Sequence, residues 1–174
     1  DFDMHKPKVH KNFKLSNQLG LSSFLIGRCS VSEMQQLGPV DSLHIYTAGP
    51  VPPNASELVL NDRLDLLLQE LKSTYDYVIL DTPPILLITD ALVLMSKVDT
   101  GLLVTNTLKS TKRGIKHLEE TLNQNDLNHA SLVLNNIRST RWGQYYAKYA
   151  YKYGYGYGYG YGYGYGGAKY GDEP

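Results

Sequence analysis

The sequence has few of the features that mark secreted, membrane-spanning or nucleic-acid-binding proteins. Its single cysteine, Cys29, excludes an intramolecular disulfide, which is usual in a reducing compartment. No apolar run reaches the ~18 residues that a membrane-spanning helix needs. Seventeen basic and seventeen acidic side chains cancel. Bulk charge therefore does not favour a polyanion, and we expect no nucleic-acid partner.

The phosphate-binding loop of nucleotide-binding α/β domains is also missing. No Gly-x-x-x-x-Gly-Lys-Ser/Thr occurs in the 174 residues. That loop supplies the backbone amides, the lysine and the hydroxyl that surround bound phosphates. The chain opens on Asp1-Phe2-Asp3 without an initiator methionine, and in an α/β domain such a pair of aspartates follows a strand. We therefore expect a fragment whose preceding strand has been cut away.

What the sequence does contain is an alternation of apolar strands and amphipathic helices. Strands are predicted at four short apolar runs that end at polar, Gly or Pro residues: Leu43–Thr47, Tyr77–Leu80, Gly101–Thr105 and Ala130–Leu134. Helices are predicted at Leu60–Leu71, Asp90–Val98 and Thr111–Gln124, with short ones at Ser22–Ile26 and Val31–Gln36. This order predicts an α/β fold with a doubly wound, mainly parallel sheet, in which ligands bind at the carboxyl ends of the strands.

The end of the chain differs in composition from the rest. Twelve of the fifteen tyrosines lie at or after Tyr145, and consecutive Tyr-Gly dipeptides run from Tyr153 to Gly166. Alternate glycines raise the entropic cost of any fixed backbone, so we expect this segment to be disordered. The sequence thus predicts a folded domain over residues 1–142 and a flexible Tyr-rich tail over residues 143–174.

Three aspartates are candidate site residues. Asp81 follows the predicted strand Tyr77–Leu80, and the prolines after it prevent that strand from continuing. A carboxylate there suits Mg²⁺ near bound phosphates, and the structural alternative is an aspartate that caps a turn. Asp1 and Asp3 are two residues apart, so on an extended segment they project to the same side. The three carboxylates would converge on one site, unless the first two simply form a solvated terminus.

These segments occur in an order that resembles the bacterial tyrosine kinases, or BY-kinases. Residues 1–7, Asp-Phe-Asp-Met-His-Lys-Pro, are similar to their Walker A′ motif, Asp-x-Asp-x-Arg-x-Pro. Residues 75–84 are similar to their Walker B strand, residues 20–27 and 49–58 resemble two further family segments, and the Tyr-rich tail completes the pattern. The resemblance implies a P-loop NTPase-like fold without its first strand and phosphate loop, and ATP and Mg²⁺ as cofactors.

The resemblance also implies a role for each candidate residue. Asp1 would accept the proton of a substrate tyrosine or help to place that tyrosine, and Asp3 and Asp81 would organise Mg²⁺. Asn135 or Asn136, at the end of a predicted strand, would contact the adenine base, with a turn-forming asparagine as the alternative. His5 stands where the family has Arg, and a histidine lacks the guanidinium fork.

In the family the tyrosine tail is itself the substrate. The implied acceptors are Tyr145, Tyr146, Tyr149, Tyr151, Tyr153, Tyr155, Tyr157, Tyr159, Tyr161, Tyr163, Tyr165 and Tyr170. They would be phosphorylated in trans within a ring-like homo-oligomer, a cycle that controls polymerisation and export of capsular or extracellular polysaccharide. The other implied partners are a membrane-spanning activator, fused or separate, and a cognate tyrosine phosphatase. The implied location is the cytoplasmic face of the bacterial inner membrane.

Three expectations concern the activity of this chain and the alternatives to a kinase. Without the phosphate loop, the 174-residue chain should by itself neither bind ATP well nor transfer phosphate. A partition-type ATPase is an alternative, because it shares the A′ and B strands, but it has no reason to carry twelve tyrosines in its tail. A non-enzymatic protein that self-associates through the aromatic tail is the other, and it would tolerate Tyr→Phe changes.

Overall fold

A computed structural model describes residues 1–137. Its helices are α1 Val9–Phe13, α2 Leu21–Leu25, α3 Val31–Met34, α4 Ala55–Val59, α5 Arg63–Thr74, α6 Asp90–Met95 and α7 Lys112–Gln124. Its strands are β1 Gln35–Leu37, β2 His44–Tyr46, β3 Gly101–Asn106 and β4 Ala130–Asn135. One compact unit comprises Asp1–Thr105 and Ser110–Val133, and a second comprises 106–109 with, among the described residues, 134–137. Within residues 1–137 no helix is long and apolar enough to cross a membrane.

The described strands form two pairs. β1 and β2 are antiparallel, with Gln36 opposite Ile45. β3 pairs with β4. The N–H of Gly101 donates to the carbonyl of His129, and the N–H of Thr107 donates to the carbonyl of Asn135. These two bonds advance in the same direction along both strands, as in a parallel pair.

β1 corrects one local prediction. The helix expected over Val31–Gln36 ends at Met34, and Gln35–Leu37 continues as a strand. The helix begins with a capping box, in which the N–H of Ser30 donates to Oε2 of Glu33 at 2.8 Å. Pairing with β2 satisfies the backbone of this polar segment. Such pairing depends on a partner distant in the sequence, so local periodicity does not reveal it.

The predicted strand Tyr77–Leu80 is the second correction, because it forms no strand in the structure. Its side chains do alternate: Val78 and Leu80 pack against the core, whereas Tyr77 and Ile79 are each 88% exposed. The one bond recorded at its end runs from the N–H of Phe2 to the carbonyl of Asp81, at 2.7 Å. A strand needs a ladder of such bonds along at least one edge, and a single bond does not provide one.

The core is built around α5. The predicted helical spacing is confirmed for four of its five leucines, which are buried on one face: Leu64, Leu67, Leu68 and Leu71. Leu60, predicted on the same face, precedes the helix and is 69% exposed. α2 is buried along its whole length, and α4 adds three more side chains. Phe2, Met4, Val31, Met34 and Leu94 complete much of the cluster. Each fully buried side chain of this size contributes about 1.5–3 kcal/mol, so this cluster holds the unit together.

The carboxyl end of β2 is clamped to the loop that precedes α2. Nδ2 of Asn17 donates to the carbonyl of Gly49 at 2.6 Å, and the N–H of Gly49 donates to Oδ1 of Asn17 at 2.9 Å. Gly49 has a φ of 80°, which favours glycine. The backbones approach so closely that a Cβ on Gly20 would lie 2.3 Å from the nitrogen of Gly49. Segments 20–27 and 49–58, which are separated in the sequence, therefore contact each other.

Candidate functional site

The Asp1–Asp3 segment and Asp81 lie side by side. This was expected because both were predicted at the carboxyl ends of strands, where ligands of α/β sheets bind. The amino group of Asp1 donates to the carbonyl of Tyr46 at 2.8 Å. The next N–H, that of Phe2, donates to the carbonyl of Asp81 at 2.7 Å. The segment therefore runs between the end of β2 and the residue that follows Tyr77–Leu80. These two backbone bonds build the site.

The side chains of the first four residues alternate between core and surface. Phe2 and Met4 are buried, at 2% and 1% exposure, whereas Asp1 and Asp3 are half-buried. This is the alternation expected of an extended segment. The two carboxylates therefore lie on the side of the segment that faces away from the core.

Backbone N–H groups hold these two carboxylates in place. Oδ1 of Asp1 accepts from the N–H of Asp3 at 3.2 Å, and Oδ2 accepts from the N–H of Val9 at 3.2 Å. Oδ1 of Asp3 accepts from the N–H of Lys6 at 2.9 Å. Each carboxylate oxygen has a second lone pair, so both groups retain acceptor capacity. Residues 1–9 thus form a loop organised around Asp1 and Asp3.

Asp81 is held differently. Its side chain is exposed, and no hydrogen bond to it is recorded within residues 1–137. Its charge nevertheless reaches the start of the chain. Burial lowers the pKa of the Asp1 amino group from 8.0 to about 6, and the Asp81 carboxylate opposes that shift. Asp81 therefore presents carboxylate oxygens to solvent close to the Asp1–Asp3 segment.

The donor set suits a metal ion shared with a ligand better than one held by protein alone. Among the residues that the structure describes, no three His, Cys, Asp or Glu side chains group as a metal site. Mg²⁺ usually keeps several waters and binds through one or two carboxylates together with substrate phosphates. The predicted convergence of the Asp1, Asp3 and Asp81 carboxylates on one metal site is therefore not found within residues 1–137. Asp3 and Asp81 stay the predicted ligands of an ion that a nucleotide helps to bind.

Asn135 and Asn136 belong to the second unit. Oδ1 of Asn135 accepts from the N–H of Asn136 at 2.8 Å, and Asn136 has a φ of 61°. The hydroxyl of Thr107 donates to the carbonyl of Asn136 at 2.9 Å. These contacts fit the turn-forming alternative, and the adenine contact stays a prediction. The twelve predicted acceptor tyrosines and the domain boundary at residue 142 lie outside the described residues.

One contact near the site was not predicted. Nε2 of His5 lies 3.0 Å from Oδ2 of Asp90, and the Asp90 side chain is 2% exposed. Asp90 is the first residue of α6. The two residues are 85 positions apart, so no local pattern joins them. The only signals in the sequence were a histidine in place of the family's arginine and an aspartate inside an otherwise apolar stretch.

Comparison with known proteins identifies relatives over most of the chain. A family described as an AAA domain matches residues 51–133. The chain is 35% identical to CapB of Staphylococcus aureus over 149 residues, which are 86% of the chain and 65% of CapB. It is 38% identical to the tyrosine-protein kinase YwqD of Bacillus subtilis, over 70% of the chain and 52% of YwqD. It is 36% identical to the tyrosine-protein kinase etk of Escherichia coli, over 79% of the chain and 19% of etk.

Solved structures agree with these relatives. The kinase domain of the Escherichia coli tyrosine kinase ETK superposes with a TM-score of 0.76 at 32% identity, over 95% of this chain and 59% of that domain. The chimerical protein CapA2B2 gives a TM-score of 0.74 at 32% identity, over 79% of this chain and 61% of that one. The predicted α/β, P-loop NTPase-like fold class is thereby confirmed. The chain spans about two thirds or less of each of these proteins, and by sequence and fold it belongs to the family of bacterial tyrosine kinases.

Proposed function

We propose that the protein is an ATP-dependent protein-tyrosine kinase that phosphorylates the tyrosine cluster of a second copy of itself. One observation carries the proposal. The bond from Phe2 N–H to the Asp81 carbonyl joins the segment that is similar to Walker A′ to the end of the segment that is similar to Walker B. This arrangement occurs in a chain whose relatives include proteins named as tyrosine-protein kinases.

The geometry suits transfer of a phosphoryl group to a phenol. The tyrosine oxygen would attack the terminal phosphorus of ATP, the bond to the ADP oxygen would break, and the phenolic proton would pass to a carboxylate oxygen of Asp1. Asp3 and Asp81 would hold Mg²⁺, which neutralises charge on the phosphates. Asn135 or Asn136 would contact the adenine. Backbone N–H groups already fix Asp1 and Asp3, which favours a site that works mainly by positioning.

The 174-residue chain alone should be inactive. It carries no phosphate-binding loop, and it spans 52% of YwqD and 59% of the ETK kinase domain. Without the amides and lysine of such a loop, carboxylates alone would repel the nucleotide phosphates. We therefore assign the chain the acceptor tyrosines and half of the catalytic site.

The proposed role is control of capsular or extracellular polysaccharide polymerisation and export. Each phosphate adds roughly −1.5 to −2 charge to the tail, so a modified tail would be repelled by the ATP site of the neighbouring copy. Phosphorylation would thus open a ring-like homo-oligomer, and a cognate tyrosine phosphatase would allow it to close again. A membrane-spanning activator, fused or separate, would hold the kinase at the cytoplasmic face of the inner membrane.

The test uses the longest form of the protein that its cells make, beside the 174-residue chain. With Mg·ATP, the long form should gain phosphotyrosine between Tyr145 and Tyr170, read by mass spectrometry. Asp81→Asn should reduce the rate by roughly a hundredfold or more. The matched control Asp99→Asn removes a carboxylate that is 92% exposed and pairs with Lys72, and it should not change the rate. A long form without tyrosine phosphorylation contradicts the function, and micromolar Mg·ATP binding by the 174-residue chain contradicts its predicted inactivity.

A further inference from the structure

We propose that His5 is a positioning residue, which holds the Asp1–Asp3 segment in place by binding the buried carboxylate of Asp90. The inference rests on the proposed function, because the segment that it positions is the proposed catalytic one. It assigns a role to the residue at which this chain departs from the family's Walker A′ pattern.

Burial makes the contact strong. The Asp90 side chain is 2% exposed and its neighbours Ala91, Leu94 and Met95 are buried apolar residues. His5 Nε2, at 3.0 Å, is the side-chain partner recorded for this carboxylate within residues 1–137. A buried carboxylate costs several kcal/mol unless it is paired and hydrogen-bonded. The fold therefore keeps His5 at Asp90, whereas exposed pairs such as Lys72–Asp99 constrain little.

The contact acts on the site through the short loop that contains it. His5 lies between Asp3 and Lys6, whose N–H binds the Asp3 carboxylate. Asp90 opens the helix that follows the Asp81 loop. The Walker A′ segment is thus attached to the Walker B region twice, once by the backbone bond to Asp81 and once through His5. Two separated attachments restrict rotation as well as displacement, so the Asp1–Asp3 segment keeps its place beside the backbone of Asp81.

The same geometry separates this role from a phosphate contact. The recorded bond of Nε2 is to Asp90, so His5 is directed at a protein carboxylate. An arginine at this position would also find a carboxylate partner in Asp90. Loss of His5 should therefore reduce the rate of transfer and leave ATP affinity unchanged.

The first measurement needs no kinase activity. Amide hydrogen exchange is followed in the 174-residue chain at Lys6 and Val9, which donate to the Asp3 and Asp1 carboxylates. His5→Ala should speed exchange at both by about tenfold. His5→Arg should restore slow exchange. The amide of Gly49, bonded to Asn17, should not change in either variant, and Lys72→Ala should change none of the three.

A double variant separates positioning from stability. His5→Ala leaves a buried charge without its partner, so it destabilises the chain as well. His5→Ala combined with Asp90→Leu removes the charge together with its partner, a change that is often neutral for stability. The double variant should unfold at the urea concentration of the wild type and still show fast exchange at Lys6 and Val9.

The second measurement uses the longest natural form of the protein. His5→Ala should lower kcat by roughly ten- to a hundredfold with the KM for ATP unchanged, and His5→Arg should recover kcat. Unchanged exchange at Lys6 and Val9 in the stable double variant overturns the inference, whether or not the protein is a kinase. A raised KM for ATP at constant kcat overturns it too, since His5 would then contact the nucleotide. A long form without any kinase activity but with the expected exchange pattern contradicts only the proposed function.

Discussion

Two adjacent segments at the site, Asp1–Met4 and Tyr77–Leu80, are held in opposite ways. In the first, alternate side chains are buried in the core and the intervening carboxylates are fixed by backbone N–H groups. In the second, alternate side chains contact the core, but Tyr77 and Ile79 on the other side are 88% exposed. A single recorded backbone bond, from Phe2 to Asp81, joins the two.

The difference shows which faces of the two segments are covered by other residues. Buried strands of α/β sheets are covered on both faces, and their sequences are apolar throughout. Tyr77–Leu80 has such a sequence, but within the described part of the chain only the face with Val78 and Leu80 is covered. Two residues of β3, Leu102 and Val104, are likewise more than half exposed. The buried side chains of Phe2 and Met4 fix the segment that carries Asp1 and Asp3. Asp81 follows the segment whose Tyr77 and Ile79 are exposed.

The largest effect on the free energy of unfolding should come from the Asp1–Met4 segment. Phe2→Ala should lower the free energy of unfolding by about 3–5 kcal/mol, because it empties a fully buried site. Ile79→Ala, its control on the open segment, should change that free energy by less than about 0.5 kcal/mol. Urea denaturation of the 174-residue chain measures both. Equal losses of unfolding free energy in the two variants would contradict the claim that Asp1–Met4 is packed into the core and the exposed face of Tyr77–Leu80 is not.

The close backbone contact between Gly20 and Gly49 gives the next test of packing in the core. Gly20→Ala should cost about 1–3 kcal/mol, because its Cβ would lie 2.3 Å from the Gly49 nitrogen and the Thr47 carbonyl oxygen. Gly114→Ala is the matched control, since within residues 1–137 its Cβ would make an ordinary contact with Thr111 Oγ1 at 3.4 Å. That change should stabilise α7 by about 0.5–1 kcal/mol. Thermal unfolding of the two variants should therefore shift in opposite directions.

When the 174-residue chain is prepared by itself, Asp1 bears a free amino group, and the burial of that group predicts a pH dependence of stability for this chain. The folded pKa of the amino group is about 6, below the ordinary 8.0, so between these values the unfolded chain binds the proton more tightly. The free energy of unfolding should therefore rise from pH 6 to pH 8, by about 2 kcal/mol. A chain acetylated at Asp1 lacks this titration and should show a flatter profile over the same range. A rise of equal size in the acetylated chain would assign the effect to other groups.

Local pattern predicted much of this fold. The spacing of Leu64, Leu67, Leu68 and Leu71 predicted the buried face of α5, and apolar runs predicted β2, β3 and β4. Such signals are carried by neighbouring residues. β1 was missed and Tyr77–Leu80 was predicted as a paired strand, because strand pairing depends on which distant segment offers its backbone.

At the candidate site, too, some features followed from the sequence and others depended on contacts between distant residues. The adjacency of the Asp1–Asp3 segment and Asp81 followed from the rule that parallel strands present their carboxyl ends at one edge. The contact between His5 and Asp90 had no such rule behind it, because burial of a polar residue 85 positions away is a property of the folded chain. The two hydrogen bonds between Asn17 and Gly49 could not be predicted from the sequence for the same reason.

The central claim is that the aspartate site of one copy phosphorylates the tyrosine tail of another. It is tested by mixing two variants of the longest natural form with Mg·ATP. A heavy-isotope copy carries Asp81→Asn with an intact tail, and a light copy carries an intact site with every tail tyrosine from Tyr145 changed to Phe. We predict phosphotyrosine on heavy tail peptides only when both copies are present. Heavy tails that stay unmodified in the mixture, or that are modified equally without the light copy, would contradict the account.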